Sequence, residues 1–290
     1  MILITGATGL LGSSLVPYLK NKGRPVVTHA HNKSADYLAN LADENQAFDL
    51  LNKTHPKVVI NLVGLTSVER CQDFPNEAYL LNTKTVENIS KWILKSSADC
   101  HLIQISTDQV YDGPGLHAEN QVTITNNYAF SKYAGELAAA RILSTILRTN
   151  FVGRSKVGHR ESLTDWVFNS LKAQKQINVL QDVYFSPLSI ATLVEAIDMV
   201  IDKKPIGIYN LGSRNGMSKA DFDFAFAEKL NLPTATMSRI TSDEATFLKA
   251  YRPKNMCMDC SKFEATMDVK LPDLSELIST IAKDYYEQTQ

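Results

Sequence analysis

Two residues in the stretch YAFSK have the types and the spacing for proton transfer: Tyr128 and Lys132. Four residues apart on a helix, they share a face. A free phenol, with a pKa near ~10, exchanges protons slowly at neutral pH. An ammonium beside it stabilises the phenolate and lowers that pKa, so the pair can deliver a proton to a carbonyl oxygen. The same spacing also suits an ordinary helix face with an aromatic and a charge on it. With 11 tyrosines in the chain, the pattern is expected about once by chance, so its surroundings decide.

GATGLLG sets Gly6, Gly9 and Gly12 between an apolar run, ILIT, and a helical pattern, LLGSSLVPYLKNKG. A phosphate needs a tight turn, a backbone it can approach and a helix N-terminus with free N–H groups. A strand before and a helix after supply the context for dinucleotide binding. A diphosphate is expected over Gly9 to Leu11, with Thr8 and Leu10 in the same turn. The end of the second strand reads the adenosine ribose, and an acid there favours NAD. VTHAHNKS has no carboxylate from Val26 to Ser34, and His29, His31, Asn32 and Lys33 are placed to face a 2′-phosphate. The expected cofactor is NADP(H), with NAD(H) also admitted.

The elements that must position these groups alternate through the first half. Strand-like ILIT, PVVTHA, KVVINLVG, CHLIQIST and STILRTNFVG are separated by helical stretches. A short strand is expected near Phe48, and Pro17 should kink the first helix or force an irregular turn. NEAYLLNTKTVENISKWILKSS reads as one long helix. Such alternation means βαβ units and a parallel sheet covered on both faces. The expected fold is α/β: a Rossmann-type doubly wound parallel sheet with a smaller mixed α/β C-terminal substrate domain. The expected nucleotide-binding domain takes residues 1–155 plus about 180–203. The substrate domain takes 156–179 plus 204–290.

The 290 residues carry 30 basic and 31 acidic side chains, a formal charge of −1. No basic excess points to nucleic acid, and the apolar runs are too short to span a bilayer. The chain opens on MILITG, so a cytoplasmic protein without a signal peptide is expected. Cys257 and Cys260 form CMDC, but no second pair joins them. With Cys71 and Cys100 they are expected to be reduced thiols, and no metal site is expected.

The glycine spacing, with YAFSKYAGE, resembles the extended short-chain dehydrogenase/reductase family that acts on nucleotide sugars. Nearly end to end, the chain resembles the dTDP-4-dehydrorhamnose reductase (RmlD-like) branch. VVINLVGLTSVERCQDFPNEAYLLN and YRPKNMCMDCSKFEA carry that likeness. The resemblance implies that Thr107, after Ser106, presents a hydroxyl to the substrate carbonyl beside Tyr128. It implies that Lys132 also binds the nicotinamide ribose, that Gly64, Leu65 and Thr66 line the cofactor, and that Asn82 braces the site. Ser106, Asp108, Gln109, Asn150, Phe151, Arg252 and Asn255 would lie near the substrate, Arg252 facing its diphosphate. Related dehydratases carry Asp-Glu where this chain has Asp108-Gln109, and an amide cannot abstract a proton. The expected function is NAD(P)H-dependent reduction of a 4-keto-6-deoxy-sugar nucleotide. The alternatives are an epimerase or dehydratase of the same fold, or a non-catalytic NADP-binding subunit similar to the methionine adenosyltransferase β subunit. The expected partner is the nucleotide sugar, with a homodimer left open.

Overall fold

The structure is a computed structural model that describes residues 1–96, 99–158 and 160–286. The chain divides into two compact units. The first comprises residues 1–107, 126–148 and 194–209, and the second 108–125, 149–193 and 210–290. Residues 108–125, 149–155 and 180–193, expected in the nucleotide domain, cluster with the second unit, and 204–209 with the first.

The first unit is built on a sheet of seven strands. Its first six strands in chain order are β1 (Ile2–Thr5), β2 (Val26–Ala30), β3 (Tyr37–Leu38), β4 (Val58–Asn61), β5 (His101–Ile105) and β6 (Ser144–Thr149). Across the sheet the order is Gly207–Leu211, β6, β5, β4, β1, β2, β3. The registered pairs among the six are parallel. Every residue of β1, β4, β5 and β6 is buried. Strands covered on both faces read as continuous rather than alternating apolar runs. Leu3, Val59, Leu102 and Ile146 pack on one side against Leu50, Leu51, Ile89, Trp92 and Ala139. Each such fully buried side chain stabilises the fold by about 1.5–3 kcal/mol relative to exposure.

The helices here are α1 (Gly12–Asn21), α2 (Glu44–Thr54), α3 (Val68–Asp73), α4 (Pro75–Tyr79), α5 (Thr85–Ser96), α6 (Asn127–Ala139) and, from residue 194 on, the helix Ile190–Lys203. Three expectations are corrected. The short extra strand is β3, at Tyr37–Leu38, while Phe48 lies in α2 behind the Asp43 cap. Helix α1 runs unbroken through Pro17, which faces solvent, so the carbonyl it leaves unbonded can be hydrated. The expected long helix is two helices joined by a π-helical turn, Leu80–Lys84.

The second unit holds three short strand pairs. Ile177–Leu180 runs parallel to Met237–Ile240, Phe151–Val152 parallel to Leu188–Ser189, and Tyr184–Phe185 antiparallel to Met217–Ser218. Its longer helices are Leu163–Lys172, opened by a Ser162–Asp165 capping box, Lys219–Lys229, capped by Ser218, and Leu274–Tyr286. Phe185, Phe222, Phe226 and Tyr285 form its aromatic core, with ring centroids 5.4–6.2 Å apart. No helix among the described residues is long and apolar enough to cross a membrane.

Candidate active site

Helix α6 presents YAFSK. The turn residues before it supply its cap: Asn126 Oδ1 accepts from the Ala129 N–H at 2.8 Å. That fixes Tyr128 in the first turn and Lys132 one turn on, both buried. The Lys132 ammonium donates to the Ile105 carbonyl at 2.6 Å, at the C-terminal end of β5. Thr107, two residues past that carbonyl, is also buried. Burial pushes the Lys132 pKa down to about 8, partly offset by Glu136 and Cys71.

A hydrogen-bonded chain links that carbonyl to the glycine turn. Thr5 Oγ1 donates to Asn61 Oδ1 at 2.6 Å, and Asn61 Nδ2 donates to Gln104 Oε1 at 2.8 Å. Gln104 Nε2 then donates to the Ile105 carbonyl at 3.0 Å. All three side chains are buried, and each ends or nearly ends its strand. None of the three is among the site residues expected from the sequence. The signal was a polar residue recurring at the C-terminal ends of ILIT, VVIN and HLIQI.

Gly6 has φ +69°, and a Cβ there would stand 2.9 Å from the Val63 amide nitrogen. At Gly12 a Cβ would meet the Ala7 carbonyl oxygen at 2.4 Å. No side chain caps α1; its Ser13 and Ser14 N–H groups bond instead to the Gly9 and Leu11 carbonyls, at 2.9 and 3.1 Å. Thr8, Gly9 and Leu10 are half-buried around that terminus, and Leu11 is buried. This close backbone cradle fits a diphosphate.

His29 is placed differently from the expectation that it faces a 2′-phosphate. Its buried ring sits beneath the glycine turn. Nδ1 lies 3.4 Å from the Gly6 amide and Nε2 3.0 Å from the Ala39 carbonyl oxygen. Burial lowers its pKa. His31, Asn32 and Lys33 are exposed in the loop that follows. Asp36, just past the stretch scanned for an acid, accepts from both the Thr28 amide (2.8 Å) and hydroxyl (2.7 Å) and pins that loop to β2.

Asn82 sits in the π-helical turn, where an extra residue re-aims the backbone. Its Oδ1 accepts from the Leu65 N–H at 2.8 Å, and its Nδ2 donates to the Leu65 carbonyl (3.1 Å) and to Ser131 Oγ (2.9 Å). Ser131 Oγ in turn donates to the Tyr128 carbonyl at 2.9 Å. Asn82 thus ties the loop of Gly64, Leu65 and Thr66 to α6. A Cβ on Gly64 would lie 3.0 Å from Asn82 Oδ1 and 3.8 Å from Lys132 Nζ. Gly135 lets α6 meet the π turn, since a Cβ there would be 2.4 Å from the Asn82 carbonyl oxygen.

Ser106, expected at the substrate, instead donates its hydroxyl to Glu136. Glu136 is a buried carboxylate held by Arg148 at 2.6 Å, both side chains 1% exposed. The motif KYAGE contains this acid, but its partner Arg148 carried no signal in the sequence.

In the second unit, Asn150 Nδ2 donates to Asp108 Oδ2 at 2.7 Å, and Gln109 follows in a short 3-10 turn. Phe151 begins the strand paired with Leu188–Ser189. Arg252 Nη1 donates to the Ala250 carbonyl at 3.0 Å. Asn255 bonds to backbone through both atoms of its amide. Its Nδ2 donates to the Gly115 carbonyl (2.7 Å) and its Oδ1 accepts from the Cys257 N–H (2.9 Å). All four cysteines are free and buried. Burial pushes Cys71 and Cys257 up to about 11, and Cys100 and Cys260 up to about 12. Among the described residues no cluster of His, Cys, Asp or Glu could hold a metal ion.

The sheet, the glycine cradle and the helix-borne Tyr128 and Lys132 define an α/β protein of the Rossmann class. A family model, the RmlD substrate binding domain, matches residues 1–287, and the chain belongs to that family. The chain is 24% identical over 290 residues to the probable low-salt glycan biosynthesis reductase Agl14 of Haloferax volcanii, covering 96% of each protein. It is 26% identical over 305 residues to dTDP-4-dehydrorhamnose reductase of Escherichia coli, covering 97% of this chain and 99% of that one. Its fold matches a crystal structure of dTDP-4-dehydrorhamnose reductase from Bacillus anthracis in complex with NADP. The TM-score is 0.88 at 21% identity over 99% of both chains.

Proposed function

We propose that this protein is an NADP(H)-dependent reductase of a 4-keto-6-deoxy-sugar nucleotide, similar in activity to dTDP-4-dehydrorhamnose reductase. The observation that carries the reading is the buried Lys132 ammonium, bonded to the end of β5 and one helical turn from Tyr128. A positive charge held beside a phenol stabilises the phenolate, and a low local dielectric strengthens that attraction.

The Gly6 and Gly12 cradle at the start of α1 would hold the cofactor diphosphate, and Gly64, Leu65 and Thr66 its nicotinamide half. His31, Asn32 and Lys33 would meet a 2′-phosphate, and NAD(H) remains admissible. When bound, the nicotinamide supplies the hydride. The chain's own residues supply the rest. Tyr128 gives a proton from its hydroxyl to the carbonyl oxygen, and Lys132 stabilises the resulting phenolate. Thr107 donates a hydrogen bond to the same oxygen and steadies the charge that develops there. Asn82 and the Thr5–Asn61–Gln104 chain hold the lysine, the loop and the helix in register. Gln109, an amide, argues against a dehydratase, which needs an acid and base on the hexose.

The test is a screen of dTDP-, UDP-, GDP- and CDP-4-keto-6-deoxysugars for NADPH oxidation. Stoichiometric oxidation with one of them supports the reading. NADPH binding with no oxidation by any of them overturns it.

A further inference from the structure

Two strands of the first unit end in one buried cluster. Ser106 and Thr107 follow β5, and Arg148 lies near the end of β6; the unit breaks off at Thr107 and again at Arg148. Glu136, on α6, joins them. Its Oε1 accepts from the Ser106 hydroxyl and from Arg148 Nε at 3.0 Å, and its Oε2 accepts from Arg148 Nη2 at 2.6 Å. The Ser106 amide donates to the Leu147 carbonyl at 2.7 Å. An ion pair taken out of water in this way adds little net stability, and apolar residues of similar volume often do as well. What it does provide is direction, because the carboxylate only accepts and a planar fork locks it. Ser106 is thus held at both its amide and its hydroxyl. Thr107, buried beside it, is β-branched and stiff at χ1, so fixing the backbone at Ser106 also fixes the Thr107 hydroxyl. The helix that carries Glu136 carries Tyr128 about two turns earlier.

We infer that Glu136, locked by Arg148, is a positioning residue that sets the Thr107 hydroxyl against the Tyr128 hydroxyl by holding Ser106. The inference rests on the reductase reading above and adds to it three residues that touch no reacting atom. In that reading Thr107 and Tyr128 meet one carbonyl oxygen, yet they stand on different elements, the end of β5 and α6. The Lys132 bond to the Ile105 carbonyl ties those elements two residues short of Thr107. The Ser106–Glu136 bond ties them immediately next to it. The tie matters because a misplacement of about 1 Å can cost about 10²-fold in rate.

The test is a double-mutant cycle on the full chain, read by single-turnover NADPH oxidation with the keto-sugar nucleotide from the screen. Ser106→Ala removes the tie and leaves the ion pair intact. It should lower the rate by about 3–10-fold, the worth of one hydrogen bond, with KM and NADPH affinity unchanged. In a Thr107→Ala background the same substitution should cost nothing further, because its effect runs through the hydroxyl already removed. A merely structural serine would cost the same factor in both backgrounds. Glu136→Leu with Arg148→Met removes both charges without stranding either, and should reproduce the Ser106→Ala pattern. If that pair does not fold, Ser106→Ala decides alone. Equal losses in the two backgrounds, or a wild-type rate in Ser106→Ala, would overturn the inference. Amide hydrogen exchange separates it from the reductase reading. If wild type binds NADPH but turns over no keto-sugar, the reductase falls. Ser106 and Thr107 amides exchanging about 3–10-fold faster in Ser106→Ala would then still support the tie. Unchanged exchange would overturn the tie as well.

Discussion

Gln104 and Lys132 share one acceptor, the carbonyl oxygen of Ile105, at 3.0 and 2.6 Å. Through Gln104 the lysine is coupled to Asn61 and Thr5, and Thr5 immediately precedes the glycine turn. The two halves of the candidate site, cradle and proton relay, are thereby held by one buried polar chain. Such chains are specific when complete and costly when broken.

Gln104→Leu should therefore do more than remove one contact. It leaves Asn61 Nδ2 buried without its acceptor, at a cost of about 1–3 kcal/mol. Urea unfolding should show that loss, with a parallel weakening of NADPH affinity measured by fluorescence. Full stability in Gln104→Leu would mean that the chain is incidental.

The buried lysine sets a pH dependence. Its folded pKa is about 8, below the ~10.4 of an unfolded chain. Protonated, it can support Tyr128; neutral, it cannot. Activity should thus fall as pH rises through about 8. Lys132→Arg, which does not titrate there, should lose that alkaline limb whatever its absolute rate. Stability runs the other way. Between about pH 8 and ~10.4 the unfolded chain binds a proton that the folded one does not, so this lysine's destabilisation is full below pH 8 and fades above it. Lys132→Met should flatten that rise in thermal melts.

How much of this was legible in the sequence depends on the range of the interaction. The glycine turn, Tyr128 with Lys132, and the alternation of strands and helices are local patterns, each contained in a short window of the chain. The Thr5–Asn61–Gln104 chain joins three strands by pairs 56 and 43 residues apart, so no window along the chain contains it. Position at the end of the second strand suggests a ligand for His29, and the family resemblance suggests one for Ser106. Their partners, Glu136 and the Gly6 and Ala39 backbone, come from tertiary packing. The π turn at Leu80–Lys84 was hidden because helical periodicity continues on both sides of it.

Gly135→Ala tests the fit between α6 and that π turn. A methyl group 2.4 Å from the Asn82 carbonyl oxygen cannot be accommodated without backbone movement. Overpacking of this kind costs about 1–3 kcal/mol. The substitution should lower the melting temperature and weaken NADPH binding together, since Asn82 holds Leu65. An unchanged melting temperature would show that the helix and turn can slide.

Cofactor choice is tested at the exposed loop. Lys33→Glu combined with His31→Asp should weaken NADPH binding relative to NADH, because both changes put negative charge where a 2′-phosphate is expected. Calorimetric dissociation constants for the two cofactors decide it. An unchanged ratio would place the 2′-phosphate elsewhere.

The central claim is that Tyr128 delivers the proton in a carbonyl reduction. Tyr128→Phe removes only the hydroxyl from a buried ring, so folding and NADPH binding should persist. Single-turnover NADPH oxidation, with saturating keto-sugar nucleotide from the screen, is the most direct measurement. The account predicts a rate about 10²–10⁴-fold below wild type, the usual worth of general acid catalysis. A wild-type rate in Tyr128→Phe would contradict it.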